Sequence, residues 1–167
     1  MPALADQPTG VEEAGDSVYW QILHGVTETI RDLALPGIPR ERVHHATVPV
    51  LDGKPTPCVL VTKTRERFDP SAGTNARDDV SYGVLVILVR ASSRTTDGDS
   101  PNTRQLYSWR ERVLGPFLGK RATFPLVGGC HIQTRIADGD PLIESRWLQQ
   151  LDVQTLTLNF VVRVDRA

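Results

Sequence analysis

The chain has 167 residues, 40% of them hydrophobic and 23% charged, with 19 lysines and arginines against 20 aspartates and glutamates for a formal net charge of −1. Those values exclude a disordered or fibrous chain, and the near balance of charge excludes the broad positive field on which nonspecific nucleic-acid binding depends. At this length one domain is expected, with about two thirds of the unfolded surface buried on folding, enough for a true core.

Residues 1–15 mix Pro, Gly, Ala and acids with no apolar period, which predicts a flexible arm ahead of a single domain over 16–167. This start has neither a basic opening nor an apolar stretch, so a secretory signal is not expected and the chain should remain in the cytoplasm of the cell that makes it. From Asp16 the pattern changes. Val18, Ile22, Leu23, Val26, Ile30 and Leu33 recur at spacings of three and four, which predicts an amphipathic helix capped by Asp16 or Ser17 and stopped at "LPGIP".

"VHHATVPVLDGKP" and "PCVLVTKTR" then read as two strands joined by a turn at Asp52-Gly53, with Pro49 placing the first at a sheet edge or a bulge. "ERFDPSAGTNARDD" is expected as a loop of about a dozen residues, a length at which loops often serve function. The strand "VSYGVLVILVRAS" follows, with Val84, Val86 and Leu88 on one face and Leu85, Ile87 and Val89 on the other. A strand apolar on both faces belongs in the middle of a sheet covered on both sides. Its longest apolar run, Val84 to Val89, is far short of the roughly 20 residues that span a bilayer.

After a polar loop at 92–100 comes a second helix, with Ser100 as its cap and Pro101 at its first position. Leu106, Trp109, Val113, Leu114, Phe117 and Leu118 should form its buried face, and Gly115-Pro116 should kink or end it. The remainder returns to strands: "ATFPLVGGCHIQTRI", a turn at "ADGDP", and a last strand in which Leu156, Leu158, Phe160, Val162 and Val164 alternate with mostly polar residues. The order α, β, β, β, α, β, β predicts one α+β domain, a mixed and mostly antiparallel sheet with two main helices packed on it.

Residues that could carry chemistry are scattered. His44 and His45 are adjacent, so in a strand they point to opposite faces and cannot share a metal ion. Cys130-His131 has the same defect, and the two cysteines, Cys58 and Cys130, read as reduced thiols buried in strands. "TTDGDS" and "ADGDP" lack the later acid of a calcium loop and suit tight turns. No GxSxG elbow and no GxxxxGK[ST] loop is present, so no catalytic residue, metal site or cofactor is expected. Two basic clusters remain, "TKTRER" and the helix arginines Arg104, Arg110 and Arg112, which suit either a solvated face or charged contact with a neighbouring subunit.

The opening helix "SVYWQILHGVTETIRDL", the strand pair "TVPVLDGKPTPCVLVTKT", the long "VSYGVLVILVRAS", the "LYSWRERVL" helix and the final "LTLNFVVRVDR" together resemble the tail terminator (tail completion, minor tail) proteins of long-tailed bacteriophages. The resemblance runs over roughly residues 16–166. It implies a structural virion protein without catalytic motif or cofactor, a homo-hexameric ring that closes on the end of the tail tube, stops its polymerisation and presents the surface for head-tail joining. Its implied partners are copies of itself, the tail tube protein and the head-tail connector or neck proteins, with no membrane and no sequence-specific nucleic acid, although DNA would pass through the ring. It would be made in the host cytoplasm and reside at the neck end of the virion tail.

On that reading the loops at 66–78 and 92–100 become ordered on contact with the next ring. The candidate contacts are Arg65, Arg67, Asp69 and Arg77 in and beside the first loop, Arg94, Asp97 and Asp99 in the second, and Arg110 and Arg112 on the helix. Other neck or head-completion connectors share parts of this plan. Two further classes stay open: a small hydrolase or ligand-binding domain, for which His131, Asp138 and Asp140 are the candidates, and an adaptor that binds peptides at an exposed strand edge.

Overall fold

In the computed structural model, residues 17–51, 53–74, 77–92, 101–118, 124–137 and 150–165 are described, with only the backbone described for 69–74. Helix α1 spans Val18–Asp32, and its start is set by Ser17, whose hydroxyl accepts a hydrogen bond from the Trp20 amide at 3.2 Å. This satisfies one of the amides that a helix end leaves unpaired. Ile22, Leu23, Val26 and Ile30 form the predicted stripe and are buried. The helix ends ahead of Ala34 and Gly37, both with positive φ.

Five strands follow the predicted order: β1 Val43–His45, β2 Cys58–Thr74, β3 Arg77–Ala91, β4 Gly129–Ile136 and β5 Leu151–Asp165, with helix α2, Thr103–Leu114, between β3 and β4. They form one sheet in the order β1-β2-β3-β5-β4, in which β1 runs parallel to β2 and every other pairing is antiparallel. The result is a mixed, mostly antiparallel sheet in a single compact α+β domain.

Both helices lie on one face. There Ile22, Val26, Ile30, Leu106, Trp109 and Val113 meet Val84, Val86, Leu88, Leu156, Leu158 and Phe160 in the main core. Fully burying a side chain of this size contributes about 1.5–3 kcal/mol. The other face of the central strands carries a smaller core of Cys58, Leu60, Leu85, Ile87 and Val89, with Leu51, Leu151 and Val153 packed against it. The strand read as apolar on both sides is thus central and buried on both sides, between β2 and β5.

Five local expectations are corrected. The hairpin across Asp52-Gly53 does not form: β1 stops at His45 and pairs with β2 in parallel, Val43 beside Val59. Gly53 does take a turn conformation, φ +73°. However, Pro49, Pro55 and Pro57 strip amide donors from the segment, so neither flank can sustain an antiparallel ladder. Nor is 66–78 a loop. β2 continues to Thr74 and β3 begins at Arg77, so these residues form a long ribbon. Pairing there needs only backbone groups, and because residues 63–68 are all exposed, no burial stamps a period on their sequence.

The cap of α2 is Asn102 and not Ser100, which lies outside the described residues; Pro101 precedes the helix. The Asn102 amide is turned down to the sheet, where Nδ2 donates to the Ala91 carbonyl at 2.9 Å and to the buried Asp152 carboxylate at 3.0 Å. Gly115-Pro116 ends the helix as expected, in a 3-10 turn over Gly115–Phe117. The tighter winding turns Phe117 into the core and leaves Leu118 out, 49% exposed. Finally, only one cysteine is buried: burial pushes the Cys58 thiol up, whereas Cys130 is exposed because it falls on the sheet face away from the helices, opposite Arg163 on β5.

Candidate functional site

The strands are staggered, and the stagger divides the sheet into two bands. In the first, β1 lies level with Val59–Val61 of β2, Val86–Leu88 of β3 and Gln154–Leu156 of β5, and β4 does not reach it. In the second, β4 is level with Leu158–Val164 of β5, which faces Asp78–Val84 of β3, which in turn faces the part of β2 that begins at Lys63. The first is termed here the closed band and the second the open band.

The closed band is guarded at both edges. At the β1 edge, Arg31 of α1 donates from Nε and Nη2 to the Val43 carbonyl at 3.2 and 2.9 Å. At the β5 edge, Arg110 of α2 donates from Nε to the Thr155 carbonyl at 3.3 Å. A helix-borne guanidinium thus occupies an outward carbonyl on each side, a common way of blunting a strand edge.

In the open band the face away from the helices is polar. Asp79 lies directly opposite Arg163, and the two form a bidentate pair, Nε to Oδ1 at 2.7 Å and Nη2 to Oδ2 at 2.9 Å. The Asp79 carboxylate holds the Arg163 guanidinium above its usual range. Ser81, Asn159, Gln133 and Arg135 share this face by strand parity.

β2 enters the open band through a register break between Lys63 and Glu66, and Tyr19 of α1 fills it. The Tyr19 hydroxyl donates to the Gly83 carbonyl at 2.6 Å and accepts from the Thr64 amide at 3.1 Å. Its ring lies 5.1 Å from that of Tyr82, and burial raises its pKa. Position 83 must be glycine, since a Cβ there would stand 2.0 Å from Thr64 Oγ1 and 2.9 Å from the Arg65 carbonyl. The bulge is therefore pinned between a helix tyrosine and a strand glycine, which fixes the direction of the ribbon beyond it.

The residues singled out in the sequence distribute as follows. Arg65 and Arg67 are exposed on β2 beside the equally exposed Phe68, and Asp69 is paired at the backbone with Asp79. Arg77 is exposed at the end of β3, with Nε 2.8 Å from Asp165. Arg112 is exposed, but Arg110 is half-buried as an edge guard and does not lie free on the solvent face of α2. Arg94, Asp97, Asp99, Asp138 and Asp140 lie outside the described residues. His131 is half-buried, 3.0 Å from Thr134 Oγ1 and with its ring 5.8 Å from that of Phe160.

His44 and His45 take opposite faces as expected, level with Leu60 and Val61, and the His45 ring packs against Trp20 at a tilt of 54°, ring centres 4.5 Å apart. Among the described residues no three His, Cys, Asp or Glu side chains gather as a metal site would require, and no helix is long and apolar enough to cross a membrane. Tyr19, Gly83 and the Asp79–Arg163 pair were not singled out in the sequence. The one available signal was Gly83, since a lone glycine inside a strand pattern marks a bulge or a close backbone approach. A scan against protein-family models and a search of curated proteins each return no match for this chain.

Proposed function

We propose that this protein is a structural ring subunit of the tail terminator class, which closes on the end of a phage tail tube, stops its growth and offers the joining surface for the head. The observation that carries the reading is the division of one sheet into two bands. One end is packed on both faces and guarded at both edges; the other projects a ribbon pinned at Tyr19 and Gly83 and a largely polar face. That design suits a subunit that works by contact and not by chemistry. The element order and the opening helix, strand pair and final strand that resemble the family support the same reading.

Under this proposal the partners are copies of the chain, the tail tube protein and the neck connector, and the place of action is the neck end of the virion. The chain's near-neutral charge is consistent with DNA passing through the ring without being held in it. The test is elongation of purified tail tube protein, followed by electron microscopy. Substoichiometric addition of this protein is expected to cap tubes at one end and halt growth. Tubes that lengthen at an unchanged rate with bare ends would refute the proposal.

A further inference from the structure

We infer that copies of this chain join edge to edge, the outer edge of β2 in the open band pairing antiparallel with the outer edge of β4 on the next copy. This rests on the ring-subunit reading only in taking the chain itself as the partner. Four observations carry it.

The two edges stand at the same height. His131 of β4 faces Val162, which faces Val80, which faces Phe68 of β2; at the other end of the band Ile136 faces Leu158, which faces Val84, which faces Lys63. Both edges are bare among the described residues: β1 has ended before Lys63, and β4 has β5 on one side only. Large apolar side chains also stand exposed on both, Phe68 at 66% and Ile136 at 42%.

Their directions match. Three successive antiparallel pairings lie between β2 and β4, so the two run opposite ways. Rotation of a copy about an axis along the strands therefore brings them together in the antiparallel sense, with the helices of every copy on the same side.

Like edges are a poorer match. Two β2 edges would bring together two copies of Lys63, Arg65 and Arg67, six cations against two Glu66 carboxylates, whereas β4 over Gly129–Ile136 carries one cation, Arg135, and no acid. The edges that are not meant to pair are closed, by Arg31 at Val43 and by Arg110 at Thr155. A chain whose helix arginines cap the outward carbonyls of two edges and leave, among the described residues, two edges of equal height and opposite direction uncapped has the parts of a head-to-tail contact.

The exposed Cys130 on β4 provides the probe, since Cys58 is buried. Full-length Asp69→Cys, level with Cys130 through Asp79 and Arg163, and, to allow for register, Arg67→Cys would be oxidised with copper phenanthroline beside wild type and the Cys130→Ser control. The expected result is a ladder of disulfide-linked species longer than two chains in at least one variant, lost on adding Cys130→Ser, with wild type remaining monomeric on the gel. Circular dichroism and melting equal to wild type would confirm that the variants fold. Two-chain products that also appear in wild type would mean β4 pairing with β4 and overturn the proposal, as would the absence of cross-links in both variants. A ladder with unimpeded tube growth would sink the tail reading alone, and blocked growth without a ladder would sink this contact alone.

Discussion

The closed and open bands are built from the same three strands, yet β2, β3 and β5 behave differently in each. In the closed band Leu60, Ile87 and Val89 are buried on the face away from the helices while Val59, Val86 and Leu88 are buried beneath them. In the open band the helix side stays apolar, with Val80, Val84, Phe160 and Val162, and the other side turns to Asp79, Ser81, Asn159 and Arg163 around a half-buried Val161. Stability is concentrated where both faces are packed; the band with one wet face is held by its helix-side core, its ladder, the Asp79–Arg163 pair and the Tyr19 bridge. The comparison separates the part of the sheet that folds the chain from the part left free for contact.

The largest effect should come from cutting the closed band on its helix-free side. Ile87 is 1% exposed, and Ile87→Ala is expected to cost about 2–5 kcal/mol in urea unfolding, whereas Val161→Ala, half-buried on the same face of the open band, should cost about 1 kcal/mol or less. Equal losses at the two positions would erase the distinction. Next is Gly83→Ala. Its methyl cannot fit beside the Arg65 carbonyl without moving the bulge, a strain of about 1–3 kcal/mol, and amide exchange should accelerate in 63–82 while the closed band keeps its protection.

A smaller change is Tyr19→Phe, which keeps the ring against Tyr82 but leaves the Gly83 carbonyl and the Thr64 amide to water. A loss of about 1 kcal/mol is expected, together with faster exchange of the Thr64 amide; an unchanged Thr64 rate would show that the hydroxyl does not hold the bulge. The smallest effect is one of pH. Burial holds His44 and His45 below the ordinary value of 6.5, with Lys54 and Arg31 adding to it at His44 and His24 and Arg31 at His45. A histidine whose folded pKa is depressed favours the neutral form, so its contribution is complete above the unfolded pKa and is lost as pH falls through the folded one. The urea midpoint should therefore fall between about pH 7.5 and about pH 5.5, and the double variant His44→Gln, His45→Gln should flatten that slope.

Burial leaves a period in sequence, and that period carried the fold class. Ile22, Val26 and Ile30, the unbroken Val84–Val89 and the alternating Leu156 to Val162 marked a helix, a central strand and a one-sided strand, and with them the element order. What burial does not touch left no such mark. Residues 63–68 of β2 are exposed on both sides, so the segment from Glu66 reads as a loop although its backbone pairs. Contacts between residues distant in the chain were likewise illegible: Tyr19 with Gly83, Asp79 with Arg163, and Arg110 at the Thr155 carbonyl instead of in solvent. Apolar spacing is local and was settled by the chain alone. The parallel seat of β1, the stagger of β4 and the resulting two bare edges depend on which distant backbones come to share a ladder, and only the assembled sheet decides that.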